Sequence, residues 1–231
     1  MPRPRNDLGL YDDLAAQWWH ADGPFAMLHW LAAARAALIP PAPHPDAILV
    51  DLGCGGGLLA PHVADLGYRH VGVDLVTSAL VQAPLTPVRA DVTRLPLTDG
   101  CAAAVSAGEL LEHVPDWRGA VAEACRVLAP GGTLVLDTLA DTALCRFVAV
   151  TVAERVPGGA PRGIHDPNLF VNPRALVDAC AAHGVRLTVR GIRPAVGGFL
   201  RWLVTRRGPV RMVPTWSTAV LYQGYGTKET P

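Results

Sequence analysis

The segment that most limits what this chain can become is Val50-Asp51-Leu52-Gly53-Cys54-Gly55-Gly56-Gly57. Ala47-Ile48-Leu49-Val50 is a short, continuously apolar run, the pattern of a strand buried on both faces of a parallel sheet. Leu58 to Leu66 carries apolar residues at helical period. Gly53, Gly55 and Gly57 therefore form G-x-G-x-G at a strand-to-helix turn. Glycine lets the backbone turn tightly and lets a ligand approach, while the following helix offers unpaired N–H groups at the carboxyl edge of the sheet.

The rest of the chain repeats this rhythm. His70 to Val73, Pro87 to Ala90, Ala102 to Ser106 and Thr133 to Leu136 read as strands, separated by helical stretches at Thr77 to Val81 and Trp117 to Leu128. Asp141 to Val156 and Asn172 to His183 read as later helices, and Arg186 to Val189 and Thr218 to Tyr222 as late strands. Ahead of the core, Leu10 to Trp19 and Phe25 to Leu38 read as two helices parted by Asp22-Gly23-Pro24, and Pro40-Pro41-Ala42-Pro43 is a stiff spacer. Strand and helix in alternation predict an α/β fold with a doubly wound, mostly parallel sheet. The expected division is a helical lid over 1–40, a cofactor-binding core over 45–140, and a substrate-side insertion with the final strands over 141–231.

Asp51 ends the first strand and Asp74 the second, in Val71-Gly72-Val73-Asp74. A carboxylate ~20 residues beyond the glycines can accept both hydroxyls of a ribose, and it repels a 2′-phosphate. The dinucleotide pattern G-x-G-x-x-G would need its last glycine where Leu58 stands. S-adenosylmethionine is therefore preferred to NAD. Asp91, in Arg89-Ala90-Asp91-Val92, closes the third strand, where it either accepts from the adenine amino group or caps the following turn.

Asp51 to Gly57, Asp74 and Ala129-Pro130-Gly131-Gly132 resemble class I S-adenosylmethionine-dependent methyltransferases. A closer likeness rests on Trp18-Trp19, Phe25, Leu28-His29 and Arg35, on Glu109-Leu110-Leu111-Glu112-His113-Val114-Pro115-Asp116, and on Gly163-Ile164-His165-Asp166. Together, from about Tyr11 to Pro173, these resemble the O-methyltransferases of ubiquinone biosynthesis, the 3-demethylubiquinol 3-O-methyltransferase family. The resemblance implies cofactor contacts at Arg35, Gly53, Asp74 and the backbone of Gly108. An arginine is a natural bidentate partner for the carboxylate of S-adenosylmethionine.

The resemblance also associates Glu109, Glu112 and His113 with a metal ion. Their i, i+3, i+4 spacing gathers three side chains on one face if the segment turns helically. Two carboxylates and an imidazole suit Mg²⁺, with Mn²⁺ or Zn²⁺ compatible, and such an ion would hold and acidify a phenolic hydroxyl. The plainer reading has Glu109 ending a strand, Glu112 at a helix start, and His113 packing or serving alone as base. His165 and Asp166, in a Gly/Pro-rich loop, are candidates for a general base and its support, or for loop anchoring with Asp166 starting a turn. Trp18, Trp19, Phe25, Trp30, Phe147 and Phe170 are candidate walls for a small aromatic, hydroxyl-bearing substrate, or simply core.

Composition narrows the partners. Lys plus Arg and Asp plus Glu number 20 each, which argues against electrostatic capture of nucleic acid. Mean hydropathy is positive, yet every apolar run is broken before about 18 residues, so no spanning helix is expected. The N-terminus lacks an apolar signal core, and the five cysteines have no disulfide or zinc spacing. A cytoplasmic protein, monomer or homodimer, is expected. Arginines mixed with apolar residues from Arg190 through Phe199-Leu200-Arg201-Trp202 to Arg211 suggest either peripheral membrane contact or a lid. The leading expectation is O-methylation of a phenolic or catechol-like molecule such as a quinone precursor. Carbon or nitrogen methylation and a non-catalytic S-adenosylmethionine-binding module are the alternatives.

Overall fold

A computed structural model describes residues 3–156 and 159–230. Among the described residues eight strands form one sheet: β1 (Ile48–Leu52), β2 (Arg69–Asp74), β3 (Thr86–Arg89), β4 (Ala102–Gly108), β5 (Leu128–Leu139), β6 (Val185–Pro194), β7 (Met212–Thr215) and β8 (Leu221–Lys228). Their order is β3-β2-β1-β4-β5-β8-β6-β7. The first five run parallel, with Val50 beside Val71 and Val105, and Ala104 beside Thr133. β8 pairs antiparallel with both β5 and β6, and β7 closes the edge antiparallel to β6. The doubly wound, mostly parallel α/β sheet is as expected.

The central strands are apolar because both faces are covered: Leu49, Val50, Ala104, Val105, Leu134, Val135 and Leu136 are all buried. Chain order reverses between β1 and β4, which opens a crevice outside their carboxyl ends. Asp51, Asp74, Gly108 and Asp137 all stand at that end of their strands.

The helices are α1 (Gly9–Asp13), α2 (Ala26–Ala36), α3 (Ala60–Val63), α4 (Thr77–Leu80), α5 (Trp117–Val127), α6 (Ala143–Cys145), α7 (Pro173–Ala181) and α8 (Val196–Thr205). Asp116 caps α5 by accepting from the Gly119 N–H, and Asn172 caps α7 through Arg174 and Ala175. Three expectations need correcting. The first N-terminal helix is a single turn followed by a 3₁₀ turn at Ala15–Gln17. The span from 141 to 156 breaks into α6, a π-helical stretch (Arg146–Val152) and a 3₁₀ turn (Ala153–Arg155). The last strand lies at Leu221–Lys228 rather than 218–222, and both α8 and the edge strand β7 are additional.

Candidate active site

The glycine turn is built as its composition demands. Gly53, Gly55 and Gly57 have φ of +65°, +50° and +79°, backbone that only glycine adopts readily. The Gly55 N–H donates to Asp74 Oδ2 at 2.8 Å and the Val76 N–H to Oδ1 at 2.8 Å, so one carboxylate ties the turn after β1 to the end of β2. Burial holds the Asp74 carboxyl above its ordinary range, against the backbone N–H groups that pull it down. A Cβ on Gly55 would stand 2.5 Å from Trp18 Cη2. Trp18 therefore lies directly over the turn, stacked on Phe25 at 4.2 Å between centroids.

Beside the turn, Arg35 of α2 reaches the end of β5, where Nη1 donates to both oxygens of Asp137 at 2.8 Å. Both residues are buried, and Arg35 Nε has no partner. Burial pulls the guanidinium pKa down, but Asp137 and Asp51 more than offset it and the group stays charged. A Cβ on Gly108 would fall 1.7 Å from Arg35 Nη1. Glycine at the end of β4 thus makes the space in which this ion pair sits. The Glu109 N–H then donates to both the backbone oxygen and Oδ1 of Asp137, at 2.9 and 3.1 Å.

The metal set expected from Glu109, Glu112 and His113 does not assemble. Glu109 has φ of +50° and residues 111–113 form a 3₁₀ turn, so the α-helical spacing that would converge the three is absent. Glu112 accepts from the Thr138 hydroxyl at 2.7 Å. His113 Nδ1 faces Asn6 Oδ1 at 2.7 Å and Nε2 faces the Tyr11 hydroxyl at 3.3 Å. Because the Asn6 amide NH₂ donates to the His113 carbonyl, its oxygen accepts from Nδ1–H, and Tyr11 donates to Nε2. With both ring nitrogens engaged, the residues present do not fit a metal ion. Among the described residues no group of three or more His, Cys, Asp or Glu is placed to hold one.

Charge in this pocket is controlled by burial. Burial raises Glu112 to about 7 and, together with the neighbouring Glu112 and Asp137, pushes Glu109 well above the carboxylate range. Burial and the nearby His165 lower His113 to about 3, so its imidazole is neutral and unsuited to take up a proton. Glu109 Oε1 and Glu112 Oε1 are buried without partners.

His165 is buried, stacks on His113 at 5.8 Å between centroids, and lies edge-to-face with Phe170 at 6.3 Å. Its neighbour Asp166 makes a turn, accepting from the backbone and amide N–H groups of Asn168 at 3.0 and 2.9 Å. Asp91 likewise caps a turn through the N–H and hydroxyl of Thr93, both at 2.8 Å, and these bonds lower its pKa.

A single cavity of about 1000 Å³ joins these parts, at the top of the ~300–1,000 Å³ range for small-molecule sites. Its walls include Gly53, Asp74, Arg35 and Gly108, together with His165, Trp30, Phe199 and Trp202. Asp51, Gly55, Asp91, Glu109 and His113 also line it, whereas Gly57, Glu112 and Asp166 do not. Trp18, Phe25 and Trp30 reach the cavity, but Phe147 is exposed and Trp19 partly so.

Sequence reasoning missed Asp137, Glu154 and Arg5. Asp137 had a signal: like Asp51 and Asp74, it is a lone acid in an apolar strand, Leu134-Val135-Leu136-Asp137. Glu154 is the only acid between Asp141 and Asp166. Arg5 had none, since its partner is 149 residues away.

The glycine cradle, Asp74 and the crevice at the switch point define an S-adenosylmethionine-dependent methyltransferase. A methyltransferase domain model matches residues 50–136. The Thermotoga maritima S-adenosylmethionine-dependent methyltransferase shares the fold, with a TM-score of 0.66 at 16% identity over 96% of this chain and 100% of that one. Geranyl diphosphate methyltransferase gives 0.60 at 17% identity over 87% and 77%. In sequence, the ubiquinone biosynthesis O-methyltransferase of Burkholderia thailandensis is 33% identical over 202 residues, 81% of this chain and 86% of that protein. That of Xanthomonas campestris is 35% identical over 189 residues, 74% and 77%. The chain belongs to the family of ubiquinone biosynthesis O-methyltransferases.

Proposed function

We propose that the enzyme methylates a hydroxyl of a phenolic or catechol-like small molecule, a quinone precursor being the class that its relatives' names suggest. The observation that carries this reading is the continuity of the cavity from the glycine turn to a buried histidine and an aromatic wall. When bound, S-adenosylmethionine supplies an electrophilic methyl group.

The residues that would hold it are Gly53 and Gly55 through close backbone approach, with Gly57 shaping the turn from outside the cavity, Asp74 at the ribose hydroxyls, and Arg35 with Asp51 at the amino-acid end. The backbone of Gly108 flanks that end, and the second oxygen of Asp91 serves the adenine side. His165 takes the proton from the acceptor hydroxyl. Asp166 holds the loop that carries it, and neutral His113 packs behind. Methyl transfer mainly needs a deprotonated oxygen placed in line, so positioning and proton removal suffice. Residues 1–40 act as the lid, 45–140 as the core, and 141–231 as the acceptor side.

Incubation with S-adenosylmethionine and a panel of catechols, simple phenols and amines, read by mass spectrometry, tests this. Methyl ethers from the catechols are expected. Transfer only to carbon or nitrogen would overturn it.

The acceptor's route can include a membrane surface. Val196, Phe199, Leu200 and Trp202 of α8 line the cavity, and Val196, Leu200 and Val204, spaced i, i+4, i+8, are 59%, 57% and 86% exposed at its rim beside Arg201 and Arg207. No helix of the described residues is long and apolar enough to cross a membrane. Co-sedimentation with anionic liposomes that is lost in Val204→Glu is expected, and equal sedimentation of both proteins refutes the contact.

A further inference from the structure

We infer that Glu154 is the positioning residue for His165: it fixes the proton on Nδ1, so that Nε2 is the nitrogen that accepts from the acceptor hydroxyl. This rests on the proposed O-methylation and names a partner for its base.

The geometry is that of a dyad with the carboxylate behind the ring. His165 Nδ1 lies 3.4 Å from Glu154 Oε1 and has no other partner. His165 lines the cavity and Glu154 does not, so the ring stands between the carboxylate and the space for the acceptor. A neutral imidazole carries one N–H, and a buried carboxylate beside one nitrogen draws it there. The 3.4 Å separation leaves the bond to tighten when the acceptor binds, as is common for catalytic hydrogen bonds in unliganded enzymes.

Glu154 is itself held with unusual completeness. Arg5 Nη2 donates to both of its oxygens at 2.7 Å, the Gly163 N–H to Oε2 at 3.0 Å, and the His165 N–H to Oε1 at 3.3 Å. Arg5 Nε also donates to the His165 carbonyl at 2.6 Å. Burial raises the Glu154 pKa, but the His165, Gly163 and Arg5 hydrogen bonds outweigh it and hold the group down at about 2. The carboxylate is therefore ionised throughout the working range. Among the described residues, the charged or titratable side chains that contact His165 are Glu154, Arg5 and, stacked on the ring, His113, with Asp166 next to it in the chain. With His113 kept neutral, Glu154 and Arg5 are the charges in contact with it.

The proton balance is simple. The acceptor O–H proton passes to Nε2, and the freed electron pair on oxygen makes the new carbon–oxygen bond. The pair of the broken carbon–sulfur bond stays on sulfur. The imidazolium formed lies against the Glu154 carboxylate until the proton leaves to water.

The test compares wild type, Glu154→Gln and His165→Ala on two acceptors: a catechol, and a nitro-substituted catechol already ionised at the assay pH. With the catechol, Glu154→Gln is expected to lower kcat roughly 10- to 100-fold with acceptor KM little changed, within the ~10²–10⁴ that general base catalysis supplies. With the ionised acceptor, both variants recover to within about 3-fold of wild type, since no proton remains to be removed. An equal deficit on both acceptors would show a structural role and overturn the inference. Absence of any methyl ether from wild type would instead overturn the O-methylation reading. The ¹⁵N spectrum of His165 in the wild-type protein needs no variant to fold: the Nδ1–H tautomer is expected, and Nε2–H refutes the assignment.

Discussion

A single methyl group placed on Gly108 tests the polar centre of the site. In Gly108→Ala the new Cβ falls 1.7 Å from Arg35 Nη1 and 1.9 Å from Cζ, against ordinary contact at ~3.5–4.0 Å. A flexible arginine tip normally yields at little cost, but this one donates twice to a carboxylate with no solvent exposure. Moving Nη1 by about 1.7 Å or more breaks the pair without deleting either charge. Breaking a buried ion pair costs ~3–5 kcal/mol, and the low end applies because the guanidinium can turn into the adjoining cavity while Asp137 keeps the Glu109 N–H. At ~2–4 °C per kcal/mol for a chain of this size, Tm should fall by about 6–12 °C. Calorimetry gives the Tm, and titration with S-adenosylhomocysteine checks that binding weakens alongside. Arg35→Ala removes the clash, so adding Gly108→Ala to it should cost below about 0.5 kcal/mol, and the cycle should show strong coupling. A Tm loss under about 2 °C in the single variant, or additive losses in the double, would refute the idea that Gly108 exists to seat this pair.

Two other outcomes follow from the same pocket. Glu112 titrates at about 7 in the folded protein against an ordinary 4.5. Between those values the folded state holds the extra proton, so its contribution makes stability fall as pH rises from about 4.5 to 7 and level off above, by at most ~1.4 kcal/mol per pH unit. Glu112→Gln, whose amide oxygen still accepts from Thr138, should flatten that part of the urea-unfolding profile, and an unchanged slope would rule out Glu112 as its source. Because both His113 nitrogens are engaged, millimolar Mg²⁺ should leave Tm within about 1 °C; a saturable rise in Tm would place a cation at the partnerless oxygens of Glu109 and Glu112.

The sheet and the cofactor end of the site were legible because their signals are local. A parallel strand buried on both faces is apolar along most of its length, and a left-handed turn at its carboxyl end favours glycine, so Ala47 to Gly57 announces itself. Asp74 follows from the same rule one strand later. α8 was not legible, since Val196-Gly197-Gly198-Phe199 opens it with two poor helix formers and the arginines drew the reading to the surface. Helix period also misled at 141–156, where a π-helical stretch shifts the faces after Cys145.

The acceptor end was hidden for a physical reason. Spacing carries information about side-chain convergence only while one backbone geometry persists, and Glu109 to His113 fails that condition at its first residue, where φ is +50°. The three residues that look like one cluster in sequence are handed to separate partners: Asp137 at the Glu109 backbone, Thr138 at Glu112, and Asn6 with Tyr11 at His113. Conversely, Arg5 and Glu154 have no sequence relation at all and yet share two 2.7 Å bonds. What brings them together is the return of the N-terminal segment over the carboxyl ends of the strands, where Asn6 donates its backbone N–H to the Gly163 carbonyl at 2.9 Å. The cofactor end is thus a property of single strands and turns, whereas the acceptor end is a property of how two long excursions, before β1 and after β5, meet above the sheet. Variation in those excursions can change the acceptor while leaving the cradle untouched, which is the division of labour expected of a fold that hosts many chemistries.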